Sequence, residues 1–315
     1  MIFKRLVVLF CFLTYSCTIS QKPDAVFTEK STQLKKPVFF VSIPITKFSS
    51  IQSPCMWVDV EGKQFSMELD LGYQGDVTLT KQFIELVSSK EFIREKTMYG
   101  IRGKEYSTNL YRIPEMKIGK MTFFKPMLQE ETEAFVNDST FVQSGGVPSP
   151  RESGRLGWEL FYNVNLFIDI KNSQIAFCDS LDTLKNQGYA VESFAKTPLF
   201  LERGLIEFET DTPEGPLRCM LDTGATWNIL NTEVREGQSL DQVMWESDNI
   251  LEYAYFKIGR ENFGPIVFHR FPIQIPIRVE AILGMDFFQD RPVFLDFANR
   301  AVYFGKSGVP YGLEL

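Results

Sequence analysis

The sequence predicts a mainly β fold of two homologous, β-barrel-like lobes with few short helices. Short apolar runs at strand spacing, such as Val38–Ile45 and Val293–Phe297, outnumber amphipathic helical ones. Lys81–Val87 and Thr232–Val243 are the better helix candidates. Four blocks of sequence recur in the same order, the mark of an internal duplication. With 315 residues and 44% hydrophobic content, the chain can bury one large or two medium cores.

Taken from its start, the chain opens with a leader. Lys4 and Arg5 precede an apolar run, Leu6 to Leu13, that is too short to span a bilayer. The run ends in T-Y-S-C-T, which resembles a bacterial lipoprotein cleavage site with Cys17 as the lipid-bearing residue. The aliphatic residue of that pattern sits one place early, at Leu13, so simple secretory cleavage nearby is the alternative. The expected organisation is a signal peptide over 1–17, a polar tether over 18–36, a first lobe over 37–180, a linker over 181–195 and a second lobe over 196–308. Either leader reading exports the protein across an inner membrane to the cell envelope or periplasm, lipid-anchored in the first case. The tether region could equally be a short propeptide.

Losing Lys4 and Arg5 leaves 31 basic against 40 acidic residues, a net charge of −9. Basic residues are scattered without a run, so nucleic acid is not an expected partner. Beyond the leader the cysteines are Cys55, Cys178 and Cys219, an odd number in apolar contexts, which fits buried thiols. No C-x-x-C pattern suggests a metal or redox site.

The repeated blocks carry the chemistry. The first is F-S-M-E-L-D-L-G-Y-Q-G-D-V-T-L, with Asp70, Leu71 and Gly72; its match is R-C-M-L-D-T-G-A-T-W-N-I-L, with Asp222, Thr223, Gly224 and Ala225. Met116–Met127 matches Phe256–Val267, Gly154–Phe161 matches Ala281–Phe288, and Leu166–Phe177 matches Val293–Phe304. Gly157 and Gly284 lie 127 residues apart, as do Asp169 and Asp296, whereas Asp70 and Asp222 lie 152 apart. Most of the difference falls in Gln129–Ser153, rich in Gly, Pro, Ser and acid, which reads as a surface loop. One aspartate per half at a tight turn is half of a two-carboxylate site. Two carboxyls about 3 Å apart cannot both ionise, so one can act as base on water while the other polarises a carbonyl. This chemistry needs no metal, cofactor or side-chain nucleophile. His269 is the only histidine, which leaves serine–histidine or cysteine–histidine mechanisms little to work with.

D-T-G-A before an apolar strand, followed by A-I-L-G-M-D-F-F, resembles the aspartic peptidases, in a bilobal pepsin-like layout with motifs similar to retroviral-type members. The resemblance covers Val38 to Lys306. It implies Asp70 and Asp222 as the catalytic dyad, with Gly72 and Gly224 allowing close approach of the two loops. It gives Thr223 a hydrogen bond across the lobe interface, places Ala225 in the second loop, and puts Gly157 and Gly284 in supporting segments. Met98–Gly103 resembles the tip of the flap hairpin, with Tyr99 and Gly100 at its apex. A peptide or protein segment in extended conformation would be the substrate, and the internal pseudo-dimer implies a monomer.

Leu71 departs from the pattern, standing where the family has Thr or Ser, and Tyr73 replaces a small residue. An unmatched buried hydroxyl at Thr223 would cost about 1–3 kcal/mol. Two functions therefore stay open: an endopeptidase, or an inactive relative that binds peptides or a partner protein between the lobes. Asp70 could also simply open a turn, and Asp169 and Asp296 read as turn-stabilising residues of hairpins. If Cys17 carries lipid, Cys17→Ser is expected to release the protein from isolated membranes; retention of the variant there would rule out this anchor.

Overall fold

Alternating apolar and β-branched residues put 52% of the described residues into strand, and the helices among them are short. The computed structural model describes residues 39–48, 53–99, 104–131, 153–236, 249–273 and 278–307. Among these residues the α-helices are Lys81–Ile84, Leu181–Asn186, Thr232–Glu236 and Met285–Phe288. The first ends sooner than its amphipathic pattern predicts because Leu86 and Val87 fold back as a turn onto the Phe83 and Ile84 carbonyls. The expected extension of the third, over 237–243, lies outside the described residues. Within the stretch expected as a linker, Ser180 caps Leu181–Asn186, its hydroxyl accepting from the Thr183 amide at 3.2 Å.

Two curled, half-barrel sheets share one strand order. In the first half, neighbouring strands run Glu105–Arg112, Met127–Glu131, Val77–Thr80, Gly154–Gly157, Lys63–Asp70, Pro54–Val60, Glu115–Ile118 and Met121–Phe124. In the second they run Ile250–Tyr253, Ile266–Phe271, Ile229–Asn231, Ala281–Leu283, Gly215–Leu221, Glu207–Thr212, Lys257–Ile258 and Glu261–Asn262. Strand senses agree as well. Lys63–Asp70 runs parallel to Gly154–Gly157, as Gly215–Leu221 does to Ala281–Leu283. Gly154–Gly157 then runs antiparallel to Val77–Thr80, as Ala281–Leu283 does to Ile229–Asn231. The first sheet adds Glu91–Tyr99, which forms a hairpin with Glu105–Arg112 and ends at the residues expected to form a flap.

A third sheet draws on both halves, in the order Phe40–Pro44, Gln174–Cys178, Asn165–Asp169, Val293–Asp296, Ala301–Phe304, Ala195–Pro198. At its centre Phe167 faces Phe294 in an antiparallel pair. These residues are 127 apart, the spacing of the matched blocks, so equivalent positions lie directly opposite each other. A two-fold relation between the halves produces this register. Both phenylalanines are fully buried. A continuous apolar cluster extends from Ile43 and Met67 in the first half to Phe208, Phe287 and Phe304 in the second.

Asp169 and Asp296 take the turn roles expected of them. Asp169 accepts from the Asn172 backbone at 3.2 Å and its side chain at 2.7 Å, and Asp296 accepts from Asn299 at 3.1 and 2.8 Å. The stretch Gln129–Ser153 departs from its reading as a loop: Gln129–Glu131 belong to a strand, and both Gln129 and Glu131 are buried. Residues 132–152 lie outside the described set.

Truncating either central phenylalanine removes a large buried ring from the strand pair that joins the halves. Phe167→Ala and Phe294→Ala are each expected to cost about 3–5 kcal/mol in urea unfolding; a loss below about 1 kcal/mol for either would show that this pair does not hold the sheet.

Candidate functional site

The strands Lys63–Asp70 and Gly215–Leu221 end in turns of one geometry. The Tyr73 amide closes on the Asp70 carbonyl at 3.2 Å, and the Ala225 amide closes on the Asp222 carbonyl at 3.2 Å. Each carboxyl also accepts from its own turn, Asp70 Oδ1 from the Tyr73 amide at 3.1 Å and Asp222 Oδ1 from the Gly224 amide at 2.8 Å. The two turns face each other. A Cβ on Gly72 would lie 2.3 Å from Asp222 Cγ, and one on Gly224 would lie 2.5 Å from Asp70 Cγ. Only glycine leaves room for the opposite carboxyl at either position. Asp70 and Asp222 thus come together across the two halves, each carboxyl against the other's turn.

This contact controls protonation. Burial, then the adjacent Asp70 charge, push Asp222 up to about 8. Asp222 therefore keeps its proton at neutral pH. Asp70 is buried, while Asp222 is only partly covered, so the pair retains access to solvent.

Thr223 ties the turns together. Its hydroxyl donates to the Leu69 carbonyl at 2.6 Å and accepts from the Leu71 amide at 3.1 Å. The expectation of an unmatched Thr223 hydroxyl is therefore not met, because the Leu71 backbone supplies a donor where its side chain has none. The Leu71 side chain is instead fully buried in the apolar cluster. Gly157 and Gly284 sit beneath the turns. A Cβ on Gly157 would lie 2.2 Å from the Gly75 carbonyl oxygen, and one on Gly284 would lie 2.3 Å from that of Trp227. The residues after these glycines complete the match: the Trp158 amide donates to the Tyr73 carbonyl and the Met285 amide to that of Ala225.

One group of residues has no counterpart in the other half. Arg155, buried on the strand Gly154–Gly157, donates through Nη1 to Asp70 Oδ2 at 2.8 Å and through Nη2 to Glu131. It sits opposite Glu68 in the parallel register and 5.4 Å from the Tyr73 ring centre. The Tyr73 hydroxyl donates to Gln129 Oε1 at 2.9 Å. In the second half the pair matching Glu68 and Arg155 is Met220 and Ile282, both inside an apolar cluster. Glu68, Arg155 and Glu131 were not among the residues singled out from sequence. The signal was present in the matched blocks, where G-R-L-G aligns with A-I-L-G and sets arginine against isoleucine.

His269 lies on the strand Ile266–Phe271 and stacks on Trp227, with ring centres 4.6 Å apart. Burial holds its pKa below the usual histidine value, against the opposing charge of Asp286. Tyr99 ends the strand Glu91–Tyr99; Gly100 and the lipidation candidate Cys17 lie outside the described residues. No family model matches the chain, and no curated protein matches it.

Replacing Thr223 by valine keeps the shape and removes both hydrogen bonds between the turns. A loss of about 1–3 kcal/mol is expected in chemical unfolding, largely restored by Thr223→Ser. Equal stability of all three proteins would show that the hydroxyl does not join the halves.

Proposed function

We infer that this chain is an aspartic endopeptidase that hydrolyses peptide bonds with a water activated between Asp70 and Asp222. The observation that carries the reading is the contact of these two carboxyls across the halves, each opposed by a glycine. A water bound between them would lose a proton to the ionised carboxyl as its oxygen attacks the peptide carbon. The protonated carboxyl would transfer its proton to the carbonyl oxygen, giving a tetrahedral diol. Collapse of the diol breaks the C–N bond, with one proton passed to the departing nitrogen and the other returned to the dyad. The reading is supported by a duplicated sheet, D-T-G and D-L-G turns, and glycine-containing strands beneath them. In this reading the hairpin Glu91–Tyr99/Glu105–Arg112 would serve as the flap. Its edge strand could pair an extended peptide through backbone hydrogen bonds.

Two observations favour the rival reading, a peptide-binding relative without catalysis. Leu71 removes one of two cross-turn hydroxyls, and Arg155 engages Asp70 directly. The intact pair of carboxyls and all four glycines weigh more heavily, since these are the parts that touch the reacting atoms or admit them. Export through the leader, with or without a lipid on Cys17, would place this activity in the cell envelope.

Digestion of an unfolded protein such as reduced casein separates the readings. Native protein is expected to cleave it, and Asp70→Asn and Asp222→Asn to lose activity by about 10³-fold or more. Activity should also fall as pH rises through about 8, because Asp222 then gives up the proton that the carbonyl oxygen needs. Equal activity in all three proteins, zero included, would leave peptide binding as the function.

A further inference from the structure

We propose that Arg155 is a positioning residue of the dyad: held between Asp70 and Glu131, it fixes Asp70 as the base and leaves the shared proton on Asp222. The proposal rests on the peptidase reading and deepens it. In a symmetric pair either carboxyl can carry the proton, and neither has a fixed part to play. Here the surroundings of the two are unlike. Facing Asp70 are the Arg155 guanidinium at 2.8 Å, the Asp222 carboxyl and the Tyr73 amide, with Glu68 on its own strand and Glu131 beyond the arginine. Asp222 meets Asp70 and the Gly224 amide, and Arg155 acts on it only as a weaker influence. At the place equivalent to Arg155 the second half has Ile282, buried among Met220, Ala225 and Ile229.

The arginine is itself built in. Its backbone amide donates to Thr78 Oγ1 at 3.0 Å, and its side chain is almost wholly covered. Burial opposes its charge, but Glu131 and Asp70 outweigh burial and hold its pKa above the usual arginine value. A fixed cation against one member of a pair favours the ionised form of that member, and a planar guanidinium also fixes its orientation. Asp70 Oδ2 is occupied by Arg155 and Oδ1 by the Tyr73 amide, so its lone pairs are directed and its rotation is blocked.

The roles in the reaction follow. Asp70 takes the proton from water, and Asp222 gives its proton to the carbonyl oxygen. On collapse, Asp70 passes its proton to the leaving nitrogen and Asp222 recovers one from the diol hydroxyl. No other reactant is consumed.

Carbon-13 titration of the aspartate carboxyls in the full protein tests this directly, with Asp70→Asn and Asp222→Asn giving the assignments. In native protein the first ionisation of the pair is expected at Asp70 and the second at Asp222. A proton resident on Asp70 at neutral pH would overturn the proposal. Arg155→Gln alone would strand two buried carboxylates, so it is combined with Glu131→Gln to preserve the local charge balance. In that folded double variant the first step should move to higher pH by about one unit or more, with a smaller shift for Arg155→Lys. An unmoved first step would also overturn it. Casein digestion separates this result from the parent reading. A shifted titration in a protein that cleaves nothing keeps Arg155's role and rejects the peptidase; cleavage with an unshifted titration does the reverse.

Discussion

Everything at the site depends on two acidic side chains being forced into contact. Carboxyls repel when both are charged, so a fold that brings Asp70 against Asp222 must supply both the space and the restraint. Gly72 and Gly224 provide the space, since a Cβ at either would fall within 2.5 Å of the opposite carboxyl carbon. The restraint comes from Thr223, bonded to the backbone on both sides of Asp70, and from the third sheet, where Phe167 and Phe294 hold the halves in two-fold register. The raised pKa of Asp222 is a consequence of this geometry, because its ionisation must overcome burial and a neighbouring charge together.

The duplication is closer in backbone than in chemistry. Strand order, strand sense and turn geometry repeat, while the polar residues around the turns do not. In the first half Glu68, Tyr73, Gln129, Glu131 and Arg155 form a buried polar network; the second half presents Met220, Ala225 and Ile282 at matching places. Buried charges are costly unless paired, and here the Arg155 guanidinium is paired with both Asp70 and Glu131. Its position against Asp70 alone makes the two carboxyls unequal. The replacement of a cross-turn hydroxyl by Leu71 adds to the asymmetry without loosening the turn, because the Leu71 amide still reaches Thr223.

Much of this was legible in the sequence. The 127-residue spacing marked the duplication, and the D-T-G and D-L-G turns marked the two carboxyls, but the pairing of the matched strands at the centre of the third sheet emerged only in the structure. Asp169 and Asp296 were separable from the site because each precedes an asparagine that closes a hairpin turn. What could not be read came from side chains whose role is set across strands. Gln129 and Glu131 looked like the start of a polar loop, since alternation over a few residues does not reveal which polar groups meet a buried arginine. Arg155 stood in plain view within G-R-L-G, yet only the parallel register with Lys63–Asp70 shows that it reaches Asp70. The turn of Leu86 and Val87 after a single helical turn was likewise decided by tertiary packing and not by local pattern.

The central physical claim is that one proton serves two carboxyls drawn from opposite halves of the chain. Neutron diffraction from a deuterium-exchanged crystal near neutral pD measures it most directly. A single deuteron between the carboxyls, bonded to Asp222, with Asp70 bare and facing Arg155, is the expected density. Two bare carboxylates, each solvated separately and turned away from the other, would contradict it.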